Sequence, residues 1–353
     1  MTMKKFICLL LFFGTWFGSI AQDPLFTQYQ YAPTFLNPAM IGTGKKDLRL
    51  SALTKMQWFN LYKPFKYIYG AADYSMFDDI QRNILNLGLN VYHSNKGNLG
   101  NTNISGLVGR SFGTNNTNCS NWYLSLALQA GYNFAQVNPN AFIFSDQLDQ
   151  TGITGSASQV DLFSTPTTKN YFDFSSGFVL TISDFMIGGS AHHLNKPNVS
   201  FAGKQEDAKL KTRFSFHTNY RIETEYLTIK PTIMYSTQGL ANYFTAGSLI
   251  DYYGLPVEFG IWYRNAVGMG NNNAICVSLS WKWKEAKSVI AKSKEYSNRM
   301  GLSYDTDISR PGLITTHGSM EFGIQKEIQT NNNAICPNSN SLQCNFRFPW
   351  EFL

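Results

Sequence analysis

Several absences narrow this chain before any motif is read. Past residue 20 no run of 18 apolar residues occurs and the mean hydropathy is −0.21, which excludes a helical membrane protein. Charge is sparse, at 15% of 353 residues, and the Lys and Arg are scattered among carboxylates rather than gathered on one face, so no nucleic-acid partner is expected. The five cysteines contain no CxxC pair and have no nearby His, which removes the usual zinc spacings; no metal and no cofactor are expected. His192 and His193 invite a catalytic reading. However, there is no G-x-S-x-G elbow and no acid to orient an imidazole, and neighbouring strand residues point to opposite faces, so an enzyme is not expected.

What is present begins with an export signal. Lys4 and Lys5 precede an apolar stretch from Phe6 to Ile20, and Ser19-Ile20-Ala21 is a small-x-small cleavage site. The stretch is shorter than the roughly 20 residues of a spanning helix, so residues 1–21 read as a cleaved signal rather than an anchor. Cys8 leaves with it, and loss of the two lysines lowers the formal charge from +6 by two. Cys119, Cys276, Cys336 and Cys344 then meet an oxidising compartment where pairing is permitted. Four cysteines allow three complete pairings; Cys336 with Cys344 is favoured because "CPNSNSLQC" is short and turn-rich.

The main signal is alternation with period 2. In "NWYLSLALQAGYNF", Trp122, Leu124, Leu126, Leu128, Ala130, Tyr132 and Phe134 share one face against Ser125, Ala127, Gln129, Gly131 and Asn133. "NILNLGLNVY", "RFSFHTNYRI" and "AICVSLSWKWK" repeat the pattern. From Trp122 to Phe134 such a strand would run about 40 Å, or about 30 Å of membrane height when tilted near 40°, with aromatics at both rims. The polar faces are mostly small and uncharged, which suits an enclosed lumen better than a solvated surface. The reading is therefore an all-β transmembrane barrel over residues 47–328. Ten weaker segments join these four, making about fourteen antiparallel strands. Trp122, Trp281 and Trp283 are expected as lipid-facing anchors, and Pro231 as a bulge or strand entry. Charges at inward register, Arg49, Asp73, Arg213, Arg221, Glu258 and Arg264, read as pairs filling the lumen, with a selectivity ring or anchors for a plug as the rival.

Residues 22–46 share neither period. Pro24, Pro33 and Pro38 prevent a continuous helix, while Phe26, Tyr29, Tyr31 and Phe35 favour burial worth on the order of 6 to 12 kcal/mol. The segment is expected to line or plug the periplasmic end of the lumen. A second irregular stretch, residues 135–170, is too long for a periplasmic turn and is placed on the outer side.

"QDPLFTQYQYAPTFLNPAMIGTG" resembles the N-terminal signature of the PorP/SprF family of type IX secretion outer-membrane proteins, through Gln22, Asp23, Pro24, Phe26, Gln28, Tyr29, Pro33, Asn37, Pro38, Ala39 and Gly42. "MQWFNLYKPFKYIYGAADYSM", "FSSGFVLTISDFMIGGSAHHLNKPN", "GLSYDTDIS" and "HGSMEFGI" extend the resemblance to about residue 328. The tail, residues 329–353, departs from the family's usual short basic Cys-Pro ending. The resemblance implies a fourteen-stranded outer-membrane barrel of the Bacteroidota, many of which glide. It would bind the C-terminal targeting domain of a secreted adhesin or similar cargo for export or surface anchoring, in contact with other type IX secretion components and with outer-membrane lipid. The alternative function is a channel for a small solute or hydrophobic molecule.

Overall fold

In the computed structural model, residues 23–330 are described except 45, 78–82, 114–121, 139–141, 150–151, 157–166, 202–207, 268–272, 284–297, 310–311 and 329. The expected signal, Gln22 and the Cys336–Cys344 pair lie outside the described residues.

Fourteen strands follow one another in chain order: β1 Leu48–Gln57, β2 Phe65–Phe77, β3 Asn83–Lys96, β4 Leu99–Gly113, β5 Trp122–Val137, β6 Thr168–Ile182 and β7 Phe185–His192 make one half. β8 Arg213–Tyr220, β9 Leu227–Gln238, β10 Ala241–Tyr252, β11 Val257–Val267, β12 Ala274–Trp283, β13 Asn298–Asp307 and β14 Ser319–Ile328 make the other. Each pairs antiparallel with its neighbours, and β1 pairs with β14 from Leu48↔Ile328 to Gln57↔Ser319, so no edge remains open. Among the described residues no helix is long and apolar enough to cross a membrane.

The alternation runs inside out. Leu87, Leu89, Leu126, Leu128, Phe214, Phe216, Ile275, Leu279 and Trp281 are exposed, while Asn86, Asn90, Ser125, Asn133, Ser215, Asn219, Ser278 and Ser280 are buried. A water-soluble sheet would reverse this, because apolar surface left in water costs about 25 cal/mol per Å². The outer face is therefore the lipid face, and Trp122 and Trp281 lie on it.

Because β1 starts and β14 ends at the same end, the wall has a terminal end and a distal end. The distal end carries the longest connection within the barrel, residues 138–167, and also 193–212, which by barrel convention makes it extracellular.

Pro231 is neither a bulge nor a strand entry. It lies inside β9, paired with Ser248 of β10 on one side. On its other side the ladder with β8 stops at Asn219↔Thr232 and resumes in the same register at Ile222↔Ile229. The N–H that proline lacks falls where that ladder is interrupted, and Arg221 N–H turns instead to Asp184 O at 2.9 Å.

The barrel interior is filled by residues 23–44. They form a 3-10 turn Tyr29–Tyr31, a one-turn helix Pro33–Leu36 and a second 3-10 turn Pro38–Met40. Pro33 and Pro38 stand in the first turns, where the missing N–H is not needed, and the Asn37 side chain accepts from Ala39 N at 2.9 Å to start the last turn. Met40 and Ile41 pack in one apolar cluster with Leu107, Ala127, Val179 and Met186, while Phe26 and Tyr31 pack in another with Leu53, Tyr67 and Tyr69.

Candidate functional site: the plugged lumen and the distal rim

The N-terminal segment spans the lumen from one end to the other, so the expectation that it serves the periplasmic end alone is corrected. Asp23 is at the distal end beside His193, Arg213 and Gln238, all at distal strand ends. Gly42 is at the terminal end, where its N–H donates to Asp73 Oδ1 at 2.9 Å. The segment thus traverses the lumen from the distal end before the chain enters β1 at the terminal end.

Two buried charge clusters hold the segment. At its distal half, Lys55 Nζ is 2.9 Å from Glu321 and 3.3 Å from Asp305, and Arg264 is 3.3 Å from the same Asp305 carboxylate. Thr27 joins this cluster, its hydroxyl donating to Asp305 at 2.8 Å and its backbone N–H to Glu321 at 2.9 Å. Asp305 and Glu321, which the sequence marked only as matching a pattern, thus fix the backbone of residues 27 and 28; Gln28 N–H also donates to Glu321, at 2.9 Å. At the terminal half Arg49 Nε is 2.9 Å from Asp73, and its Nη atoms donate to Thr43 Oγ1 and Met40 O. Both members are almost fully buried, so the pair stands without solvent screening.

Between these clusters most contacts are neutral, beside those of Arg213 to Phe35 and Arg299 to Gln30 and Tyr31. Tyr29 OH is 3.0 Å from Thr232 Oγ1, and Thr34 Oγ1 is within hydrogen-bond reach of Tyr69 OH at 2.5 Å and donates to Asn90 Oδ1 at 3.0 Å. Asn37 Nδ2 donates to Phe178 O at 2.9 Å and Gly189 O at 3.2 Å, and Phe26 meets the edge of Phe35 at 4.9 Å. Two glycines permit the close approach. A Cβ on Gly177 would stand 2.0 Å from Asn37 Oδ1, and one on Gly42, which sits at φ +67°, 2.3 Å from Asn86 Oδ1. Pro24 and Ala39 are buried within the same packing.

The remaining inward charges divide. Glu258 is buried with Lys230 at 3.4 Å and Lys282 at 3.8 Å. Arg213 pairs with Asp23 at 3.0 Å and lies over the Phe35 ring at 5.1 Å. Arg221 follows the end of β8 in unbroken register, opposite Lys230, with its side chain 16% exposed, and it pairs with Glu223 toward the terminal end.

The two histidines correct a geometric expectation. His193 adopts φ +59°, leaving the strand as β7 ends, so its ring turns inward beside that of His192, 6.4 Å away, rather than to the opposite face. His192 Nε2 is 3.3 Å from Leu36 O. His193 Nε2 and Nδ1 are each 2.8 Å from a carboxylate, Asp23 and Asp173. Burial alone would lower the His193 pKa; the Asp23 and Asp173 carboxylates more than offset it and raise it to about 9. For Asp23, burial acts to raise the carboxyl, but His193 and Arg213 hold it well below its ordinary range. Both histidines are used in holding the segment. Asp173, Thr27, Thr34, Lys230 and Lys282 were missed in the sequence; for the three charged ones the available signal was charge at inward register.

At the distal rim the connection 58–64 lies against 308–318, with Asn60 N donating to Thr316 O and Trp58 N to Gly318 O. These two connections carry Leu61, Tyr62, Leu313 and Ile314, of which Tyr62 is 97% and Ile314 91% exposed. Ile143, Leu148 and Ile153 of the connection 138–167 are exposed at the same end.

A closed fourteen-stranded barrel with an apolar exterior and a polar, filled interior defines an integral outer-membrane β-barrel protein. Its sequence matches, over residues 18–325, the family model described as type IX secretion system membrane protein PorP/SprF, and the chain belongs to that family. Solved structures similar to it include the CymD monoaromatic hydrocarbon channel, at 11% identity and TM-score 0.48 over 85% of this chain and 93% of that one. The outer membrane protein Omp33 of Acinetobacter baumannii follows at 7% identity and TM-score 0.39 over 80% and 97%. Comparison with curated proteins finds no match.

Proposed function

We propose that this outer-membrane component of type IX secretion holds the C-terminal targeting domain of a secreted cargo at its distal rim and supports that cargo's export or surface anchoring. The observation that carries this reading is the exposure of Leu61, Tyr62, Leu313 and Ile314 on two hydrogen-bonded connections beyond the strand ends. Contiguous exposed apolar surface on a soluble rim marks a contact surface, since it is costly in water and gains on association. The filled lumen supports the same reading, because a wall whose buried ion pairs also hydrogen-bond its own N-terminal segment is built to stay closed. Other type IX components are partners of the same assembly.

The test is affinity capture from detergent-solubilised outer membrane. Recovery of a large secreted protein in fixed ratio, reduced at least tenfold by Tyr62→Asp with Ile314→Asp, supports the proposal. Solute or ion conductance of the purified barrel in a planar bilayer, with no cargo recovered, overturns it in favour of a channel.

A further inference from the structure

The lipid face is not uniformly convex. One outward row runs across five strands, Arg110↔Leu126↔Phe178↔Gly189↔Phe216, and the next row toward the distal end is Val108↔Leu128↔Ser176↔Ala191↔Phe214. Small residues therefore occupy three neighbouring outward positions, Ser176, Gly189 and Ala191, between the ridges made by Leu128 with Phe178 and by Phe214 with Phe216. A Cβ on Gly189 would stand 2.7 Å from the Phe178 ring and 3.3 Å from that of Phe216, so both rings close on the glycine. The result is a groove of about 670 Å³ in the membrane-facing wall, lined almost wholly by apolar surface.

Arg110 lines the same groove. Its side chain is exposed on the lipid face, its guanidinium is 5.4 Å from the Phe112 ring centre, and among the described residues no carboxylate pairs with it. Arg110 is opposite Leu126, and Trp122 lies four residues further along β5 toward the terminal end. The arginine thus enters the apolar band by about 10 Å beyond the level of that tryptophan. An unpaired guanidinium within the apolar band is costly, most at the midplane and less toward the rim. A bound anion offsets that cost, and a phosphate matches the guanidinium fork in charge and shape. The row containing Arg110 lies on the terminal-end side of the groove, which faces the phospholipid leaflet.

We propose that this groove is a specific site for an anionic phospholipid, its phosphate on Arg110 and one acyl chain on the floor of Ser176, Gly189 and Ala191. The lipid braces β4 to β8 from outside at the level where Asn37 braces β6 and β7 from within. Native mass spectrometry of the detergent-purified chain tests it, with phosphatidylglycerol and phosphatidylcholine added in equal amounts. The wild type is expected to retain phosphatidylglycerol at least tenfold over phosphatidylcholine. Arg110→Gln should bring the ratio near one, and Ala191→Phe, which fills the groove, should remove both adducts. Both side chains face lipid, so folding is checked separately by resistance to unfolding in cold detergent gels. A wild type without preference, an R110Q variant that keeps it, or a folded A191F variant that still holds both lipids overturns the proposal.

Discussion

Asp23 and His193 meet across 170 residues of sequence, Oδ2 to Nε2 at 2.8 Å, and fasten the start of the described chain to the distal mouth of the barrel. The pair sets a pH window. The His193 pKa is raised from its ordinary 6.5 to about 9, so its contribution is complete below the ordinary value and is lost as pH rises through the folded one. The Asp23 carboxyl is lowered from 3.8, so its contribution is present above that value and is lost on acidification below it. Asp23 keeps a quarter of its side chain exposed, which screens the interaction. Hydrogen-exchange protection over residues 23–28 should be level between about 3.8 and 6.5 and fall as pH rises from there to about 9. Protection unchanged well above that pH, or the same fall in His193→Gln, contradicts the assignment.

Arg49 and Asp73 predict a larger effect at the other end. Arg49→Ala leaves the Asp73 carboxylate buried with Gly42 N–H as its remaining described partner, and removes the donors to Met40 O and Thr43 Oγ1. Losing one member of a buried pair costs about 3 to 5 kcal/mol. The unfolding midpoint of the purified barrel should drop, and proteolysis near residues 40–44 should increase. A variant as stable as the wild type would show that the segment is held elsewhere.

The wall was legible and the filling was not, for a physical reason. Strand residues announce their face by period 2, so Trp122 to Phe134 could be oriented from sequence, and Leu126 and Leu128 are indeed outward while Ser125 and Asn133 are inward. Residues 23–44 have no period, and their partners are remote: Thr27 binds Asp305 and Glu321 at separations of 278 and 294 residues. Their composition indicated burial but could not say that the segment traverses the whole lumen. His193 escaped because one left-handed residue at a strand end cancels the alternation from which its direction was inferred.

Gly323 on β14 tests whether the segment is what closes the lumen. A Cβ there would stand 2.4 Å from the Tyr31 ring, which is itself fully buried. Gly323→Val overpacks the contact at a cost of about 1 to 3 kcal/mol, while the strand gains a residue that suits β structure. The wall should still assemble, and planar-bilayer conductance should rise above the wild type as Tyr31 is pushed from the wall. Unchanged conductance in a folded variant would mean that the closure does not depend on this contact.

Leu279 and Ser278 are consecutive residues of β12 with opposite surroundings, and they give the sharpest test of orientation. Leu279 is 57% exposed at mid-strand, Ser278 is buried. If the outer face meets hydrocarbon, Leu279→Arg places a charge near the membrane midplane and costs about 2 to 4 kcal/mol. The same substitution on a water-facing position would be close to neutral. Ser278→Ala, in contrast, removes only a hydroxyl from the lumen side and leaves the lipid face unchanged. Refolding into lipid vesicles should therefore show a large loss for L279R and a small one for S278A. Equal and small effects would place Leu279 in water and reverse the assignment of inside and outside on which both the lumen contacts and the lipid groove depend.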